Sequence, residues 1–433
     1  PRQFRTMQEH HRIGDVQRRR ERVGMRAEPH RIAARFHRDH DARGADLDWE
    51  NGVPHREGAW TFTLSGTSDR APFPDLDEHE RVRHKGELVY PNLLPSLSAD
   101  HAAAFVLRPL AVDYQPEDAE LAALAPIFAI DQEGGRVQRL RGKATVWPPM
   151  LRLAEHPPER AEAVGQAIGR ELLAIGLNVD FAPVLDVMTN PQNPIIGDRA
   201  FGTEPQAASA RALAFLRGLE SVRGPESPAG APGTLEATGG VRGCGKHFPG
   251  HGDTATDSHL TLPVVPRDES TLRAVELGPF AAAVRAGVGM LMTAHVVYPA
   301  VDARPATLSR RWLTEILRGE LGFEGVVVSD DLDMNAVTAA DLGIADDSEV
   351  AVEALVAGCD AFLFCRDPDR LHRAEEALQR AAERSATVRA RLAESSDRLR
   401  ALRRTLAWCR PDEAYLRSLP DPAHQRLAGS LRG

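Results

Sequence analysis

GVVVSD, residues 325–330, is a short apolar run that closes on a carboxylate. Three consecutive valines favour a buried strand, and Asp330 then leaves that strand at its C-terminal end. The same form recurs on either side of it. AFVLRPLAV (104–112), PIFAID (126–131), LNVDFAPV (177–184), GCGKHF (243–248), VGMLMTAHV (288–296) and DAFLFC (360–365) are further apolar runs. Between them lie segments with helical spacing, at 160–176, 205–222, 272–287 and 348–358. Strand alternating with helix implies an α/β protein with a parallel sheet. Seven runs over about 260 residues predict a (β/α)₈ TIM-type barrel, a single catalytic domain with an irregular first strand. A doubly wound open sheet is the rival, but no GxGxxG opens a helix after a strand.

The remainder of the chain frames this domain. Residues 1–44 hold twelve Arg, five His and six acids with little apolar periodicity, which predicts a poorly ordered basic extension. The expected boundaries are 1–60 for that extension, 61–410 for the barrel and 411–433 for a tail. Residues 222–242, rich in Gly, Pro and Ala, read as a loop insertion. Residues 368–406 read as a long helix or helix pair.

The net charge of −9 over 433 residues does not suggest a nucleic-acid surface. No run of 18 apolar residues predicts a membrane span. Cys244, Cys359, Cys365 and Cys409 form no CxxC pair, which leans toward a reducing, cytoplasmic compartment. The N-terminus shows no apolar signal region, although the chain begins with Pro1 rather than Met. A monomer is expected.

Polar residues gather where the strands end. Asp131 follows PIFAI, Asp186 follows LNVDFAPVL, Lys246 and His247 leave GCG, His295 closes VGMLMTA, and Asp330 closes GVVVS. In a barrel the chemistry lies at the C-terminal ends of strands, so five such endings point to one shared pocket. A lone strand-end carboxylate is as readily a helix cap. Lys246 also stands out because it is one of only three lysines among 53 basic residues.

The stretch KHFPGHGDTATDSH (246–259) admits several chemistries. His247, His251 and His259 could ligate zinc, with Asp253 or Asp257 as a fourth ligand. The intervening Phe-Pro-Gly breaks any helix that would align them, so no metal is expected. Asp257-Ser258-His259 places a carboxylate two residues from an imidazole, on one face of an extended loop. That pairing suits a general acid/base near neutral pH. Asp330, held on a buried strand, could act as a nucleophile, with Asp331 or Asp333 better placed for a structural role.

Taken together, IDQEGGRVQRL (130–140), NPIIGDRAFG (193–202), GKHFPGHGDTATDSH (245–259), LMTAHV (291–296) and VVVSDDLDMNA (326–336) resemble family 3 glycoside hydrolases, in particular the β-N-acetylglucosaminidase branch. The resemblance spans about residues 104–405. It implies Asp330 as nucleophile, His259 as acid/base and Asp257 as its orienting partner. It implies Asp131, Arg139, Arg199, Lys246 and His247 as ligands of the N-acetylglucosamine hydroxyls. The expected substrate is a carbohydrate, an N-acetylglucosaminyl muropeptide of peptidoglycan recycling or a chitobiose-like sugar, with no cofactor. The 222–242 insertion is longer than this branch leads one to expect, and residues 1–60 match nothing in it. A phosphorylase, a β-glucosidase or a non-catalytic sugar-binding barrel are the alternatives. A histidine acid/base carries no fixed negative charge that would repel phosphate.

Overall fold

A computed structural model describes residues 124–223, 240–256, 258, 261–338, 342–406 and 411–432, with two short strands further upstream. The chain divides into two compact units, Pro1–Ala103 and Ala104–Gly433. In the first, Val53–Pro54 pairs antiparallel with Arg83–His84. The remainder of the expected N-terminal extension, the run at 104–112, and residues 224–239 of the insertion lie outside the described residues.

The second unit is built on six parallel strands: β1 (Ala129–Ile130), β2 (Val179–Asp180), β3 (Arg242–Phe248), β4 (Met290–Thr293), β5 (Val326–Asp331) and β6 (Ala361–Leu363). Each pairs with the next in chain order, with Ala129 opposite Val179, Val179 opposite Arg242, Cys244 opposite Met290, Met290 opposite Val326 and Val328 opposite Ala361. This consecutive parallel order is that of a (β/α)₈ barrel, with helices in the connections. Six of the seven apolar runs therefore form strands, and their near-continuous apolar character reflects burial on both faces.

Helices α1 (Pro158–Ala174), α2 (Pro205–Ser221), α3 (Glu269–Ala274), α4 (Leu277–Arg285), α5 (Arg311–Glu320), α6 (Glu349–Ala357), α7 (Pro368–Arg384) and α8 (Ala386–Arg404) follow. The single helix expected over 272–287 is two, α3 and α4, with Pro279 in the first turn of the second. Proline has no N–H to continue α3, but is tolerated at a helix start. The expected pair over 368–406 is present, with Asp367 and Ser385 capping the two N-termini. Helix α5, wound with π-type turns, buries Trp312, Leu313, Ile316 and Leu317 and has no counterpart among the segments read from the sequence. Beyond α8, Glu413–Ser418 (α9) and Pro422–Ser430 (α10) pack on α1, where His424 Nδ1 lies 2.8 Å from Glu171 Oε1.

One apolar cluster joins all six strands: Ala129, Val179, Phe181, Cys244, Met290, Met292, Val326, Val328, Ala361 and Leu363 meet Leu399 and Leu402 of α8. Arg403 donates to the carbonyls of Ala125 and Leu124 at 2.9 and 2.8 Å, tying α8 to the approach to β1. Burial of this cluster fixes the strands, and the strands fix what projects from their ends. Among the described residues, no helix is long and apolar enough to cross a membrane.

Candidate active site

The polar ends of β1, β2, β3 and β5 converge. Lys246, near the end of β3, is buried, and its Nζ donates to Asp131 Oδ1 at 2.6 Å and to Glu133 Oε1 at 2.5 Å. Arg199 follows α1 and β2 on a short turn, Gly197–Arg199. Its guanidinium meets Glu133 in a fork, Nε to Oε2 and Nη2 to Oε1, both at 2.8 Å. The same Nη2 also lies 3.4 Å from His247 Nε2. Arg139 stands at the exposed rim, 3.9 Å from Asp131 Oδ2.

Asp186 organises the other side. Its buried carboxylate lies 2.6 Å from His247 Nδ1 and accepts the backbone N–H groups of His247 and His251 at 3.2 and 2.7 Å. A carboxylate on Nδ1 leaves Nε2 of His247 to face Arg199. The Lys246–His247 and Phe248–Pro249 peptides are cis.

The charges are held against burial. Burial alone would raise the Glu133 carboxyl, but Arg199 and Lys246 hold it well below the usual carboxylate range. Burial would lower the Lys246 ammonium, yet Asp131 and Glu133 raise it above its ordinary value. Burial opposes ionisation of Asp186 as well, and His247 overcomes it. At the end of β5, Asp330 is likewise desolvated, and His295, His247 and Lys246 bring its carboxyl below the ordinary value. Asp330 is therefore an ionised carboxylate beside cationic and imidazole groups, the state a nucleophile needs. Asp180, at the end of β2, is the exception: burial pushes it well above the ordinary range, and Gln132 N–H donates to its Oδ1 at 2.9 Å.

Of the residues expected in the site, Asp131 pairs with Lys246 and His247 meets Arg199, Glu133 links the two pairs, Arg139 reaches them through Asp131, and Asp330 joins them electrostatically. Asp257 and His259 lie outside the described residues, whereas Ser258 between them is buried with Oγ 3.1 Å from His251 Nε2. Asp331 or Asp333 was expected to cap the next helix; instead their carboxylates accept the backbone N–H groups of Cys365, Arg366 and Asp367 in the loop after β6. Glu133 and Asp186 complete the arrangement without having been assigned a role from the sequence. Alternation was the available signal for Glu133, since it shares a face with Asp131 two residues earlier.

Of the three histidines of the zinc alternative, His247 and His251 are described and His259 lies outside the described residues. His247 Nδ1 faces Asp186, and His251 Nδ1 and Nε2 face Thr254 and Ser258. Among the described residues, no three His, Cys, Asp or Glu side chains are grouped to hold a metal ion. Gly250 and Gly252 have a packing reason. Gly250 has φ +140° and lies against Glu276, and a Cβ on Gly252 would meet Val187 O at 1.7 Å.

Residues 110–402 match the glycosyl hydrolase family 3 N-terminal domain. The chain is 42% identical over 267 residues to a β-hexosaminidase of Pseudomonas aeruginosa, covering 60% of this chain and 73% of the relative. It is 39% identical over 325 residues to a β-hexosaminidase of Chromobacterium violaceum, covering 71% and 82%. Among solved structures it resembles a family 3 β-N-acetylglucosaminidase from Paenibacillus sp., with TM-score 0.61 and 37% identity over 72% of this chain and 57% of that one. It also resembles NagZ from Neisseria gonorrhoeae in complex with N-trifluoroacetyl-D-glucosamine, with TM-score 0.53 and 33% identity over 71% and 82%. The chain belongs to glycosyl hydrolase family 3.

Proposed function

We propose that the chain is a retaining β-N-acetylglucosaminidase that removes non-reducing terminal β-linked N-acetylglucosamine. The observation that carries this reading is Asp330, a desolvated yet ionised carboxylate at the end of β5, beside the paired Lys246, Asp131, Glu133, Arg199 and His247. Asp330 attacks the anomeric carbon and forms a covalent glycosyl-enzyme. His259, oriented by Asp257, protonates the departing oxygen and then takes a proton from the incoming water. Two displacements retain the β configuration, with histidine in the place of the usual second carboxyl group.

The sugar is gripped by groups whose own charges are already balanced. Asp131 accepts from ring hydroxyls while Lys246 and Arg199 donate, and Asp186 keeps His247 turned toward them. Pre-paired groups of this kind lose little on binding, because their orientation is fixed beforehand. The names of the relatives support an N-acetylated hexose, as does the N-trifluoroacetyl-D-glucosamine of the NagZ complex. A muropeptide fragment of cell-wall recycling, handled in the cytoplasm, is the natural substrate we propose. Its support is the KHFPGHG…DSH block, and the free thiols of Cys244 and Cys359 fit a reducing compartment.

The test is turnover of an aryl β-N-acetylglucosaminide beside the matching β-glucoside, with wild type and Asp330→Ala. Release from the N-acetyl substrate alone, abolished in the variant, is expected. Release from the glucoside instead would overturn the substrate assignment, and full turnover by Asp330→Ala would overturn the nucleophile.

A further inference from the structure

Glu171 lies in the last turn of α1, whose other buried residues are apolar or glycine. Burial and the negative end of the helix dipole both disfavour a carboxylate there. Three donors offset that cost. The Thr145 backbone N–H reaches Oε2 at 3.0 Å, the Thr145 hydroxyl reaches Oε1 at 2.7 Å, and His424 Nδ1 lies 2.8 Å from the same Oε1. A carboxylate only accepts, so Nδ1 is the donor. Glu171 therefore joins two segments, one 26 residues before it and one 253 residues after it.

The first segment leads to the site. Thr145 and Trp147 bracket Gln138: the Thr145 carbonyl accepts from Gln138 Nε2 and the Trp147 N–H donates to Gln138 Oε1, each at 2.9 Å. The Trp147 carbonyl accepts from the Gly135 N–H at 3.0 Å. Gly135 and Gln138 belong to the antiparallel hairpin of Gln132–Gly134 and Val137–Gln138, which Asp131 and Arg139 flank. Gln132 Oε1 accepts the N–H groups of Arg139 and Leu140 at 3.0 and 2.9 Å, fixing the backbone at Arg139 to that hairpin.

The second segment is anchored on α1 and reaches back. The Asp412 N–H donates to Ala174 O at 2.8 Å, and the Arg170 guanidinium lies 4.7 Å from the centre of the Tyr415 ring, which seats α9. From α10, the His424 ring packs beside Trp147 with centroids 6.3 Å apart, and Arg432 donates to the Val146 carbonyl. Residues 145–147, which bracket Gln138, thus meet the C-terminal helices at each position.

We propose that Glu171 and His424 are positioning residues: they clamp residues 145–147 between α1 and α10, and so set the hairpin from which Asp131 and Arg139 hold the sugar. This deepens the proposed function and rests on its reading of the sugar site. The clamp acts on the part that grips the sugar, so it governs binding and leaves the chemical step alone.

The experiment uses the full chain. It measures Kd for N-acetyl-D-glucosamine by calorimetry, kcat and KM for an aryl β-N-acetylglucosaminide, and the urea unfolding midpoint. The variants are His424→Ala, His424→Asn, Thr145→Val and Asp131→Ala. His424→Ala and Thr145→Val each remove one donor to Glu171, and each should raise Kd and KM about fivefold to tenfold with kcat changed less than about twofold. The two are read independently, so failure of one to fold leaves the other decisive. His424→Asn, whose side-chain N–H can stand in for Nδ1–H, should recover part of the loss. Asp131→Ala should weaken sugar binding at least as much. A lowered midpoint with Kd and KM unchanged in His424→Ala and Thr145→Val, while Asp131→Ala still weakens binding, would make the clamp a brace of the fold and overturn the proposal alone. A loss confined to kcat would do the same. Unchanged Kd in Asp131→Ala, or no binding by wild type, would overturn the sugar reading and the clamp with it.

Discussion

Arg199 and Glu133 form a buried fork, two parallel bonds of 2.8 Å linking the turn after β2 to the strand after β1 across 66 residues of chain. Lys246 shares the same carboxylate at 2.5 Å, so Glu133 balances two cations that both belong to the proposed sugar site. A planar guanidinium and a carboxylate match in two dimensions, which fixes the orientation of Arg199 as well as its charge.

Removing that balance should be costly. In Glu133→Gln, Arg199 loses its forked carboxylate and Lys246 keeps Asp131 as an ion-pair partner. A broken buried pair costs about 3–5 kcal/mol, and urea unfolding is expected to show a loss in that range, with KM raised. A loss under about 1 kcal/mol would mean the fork is no better than an exposed ion pair.

Asp186 serves a different purpose, because it sets the face that His247 presents. Asp186→Asn replaces an acceptor of three N–H groups with an amide that matches them poorly. One imperfectly paired buried group costs about 1–3 kcal/mol, which corresponds to roughly tenfold to hundredfold in kcat/KM. On the proposed reading His247 grips the sugar and not the leaving group, so activated and poor leaving groups should suffer alike. A loss confined to poor leaving groups would move His247 into the acid/base machinery.

Glu276 gives the fold a pH dependence that can be isolated. Burial raises its carboxyl to about 7 despite Arg267, against an ordinary value of 4.5. The folded state therefore binds a proton that the unfolded state has released between pH 4.5 and 7, and stability falls as pH rises through that window. Glu133 and Asp186 have the opposite sign: their contribution is present above the ordinary carboxylate range and is lost only at lower pH. Thermal unfolding of wild type and Glu276→Gln across pH 4.5 to 8 should show the decline in wild type and a flatter profile in the variant. Parallel profiles would assign the decline to another group.

Much of this arrangement was legible in the sequence for local reasons. Each of the six described strands is a short apolar run, and five of those runs lead into an ionisable residue at the C-terminal end, where a barrel strand delivers it. Asp131, Asp186, Lys246 and Asp330 were found in that way. Glu133 and Asp186 matter through partners 66 and 61 residues away, and no local spacing records such a contact. The break between α3 and α4 follows from Pro279, yet the apolar spacing over 272–287 continues through it. The close contact of Gly252 with Val187 leaves no mark in the sequence, where a glycine is equally compatible with a tight approach and a flexible link.

The central claim, that the ionised Asp330 forms a bond to the sugar, can be tested by trapping the intermediate. The enzyme would be incubated with a 5-fluoro N-acetylglucosaminyl fluoride, which slows release of the glycosyl group, and then examined by intact mass and by mapping of the proteolytic peptides. One added glycosyl group, on the peptide containing Asp330 and absent from Asp330→Ala, is the predicted result. An adduct on Asp331 or any other residue, or turnover of the reagent with retention but no adduct, would contradict the account.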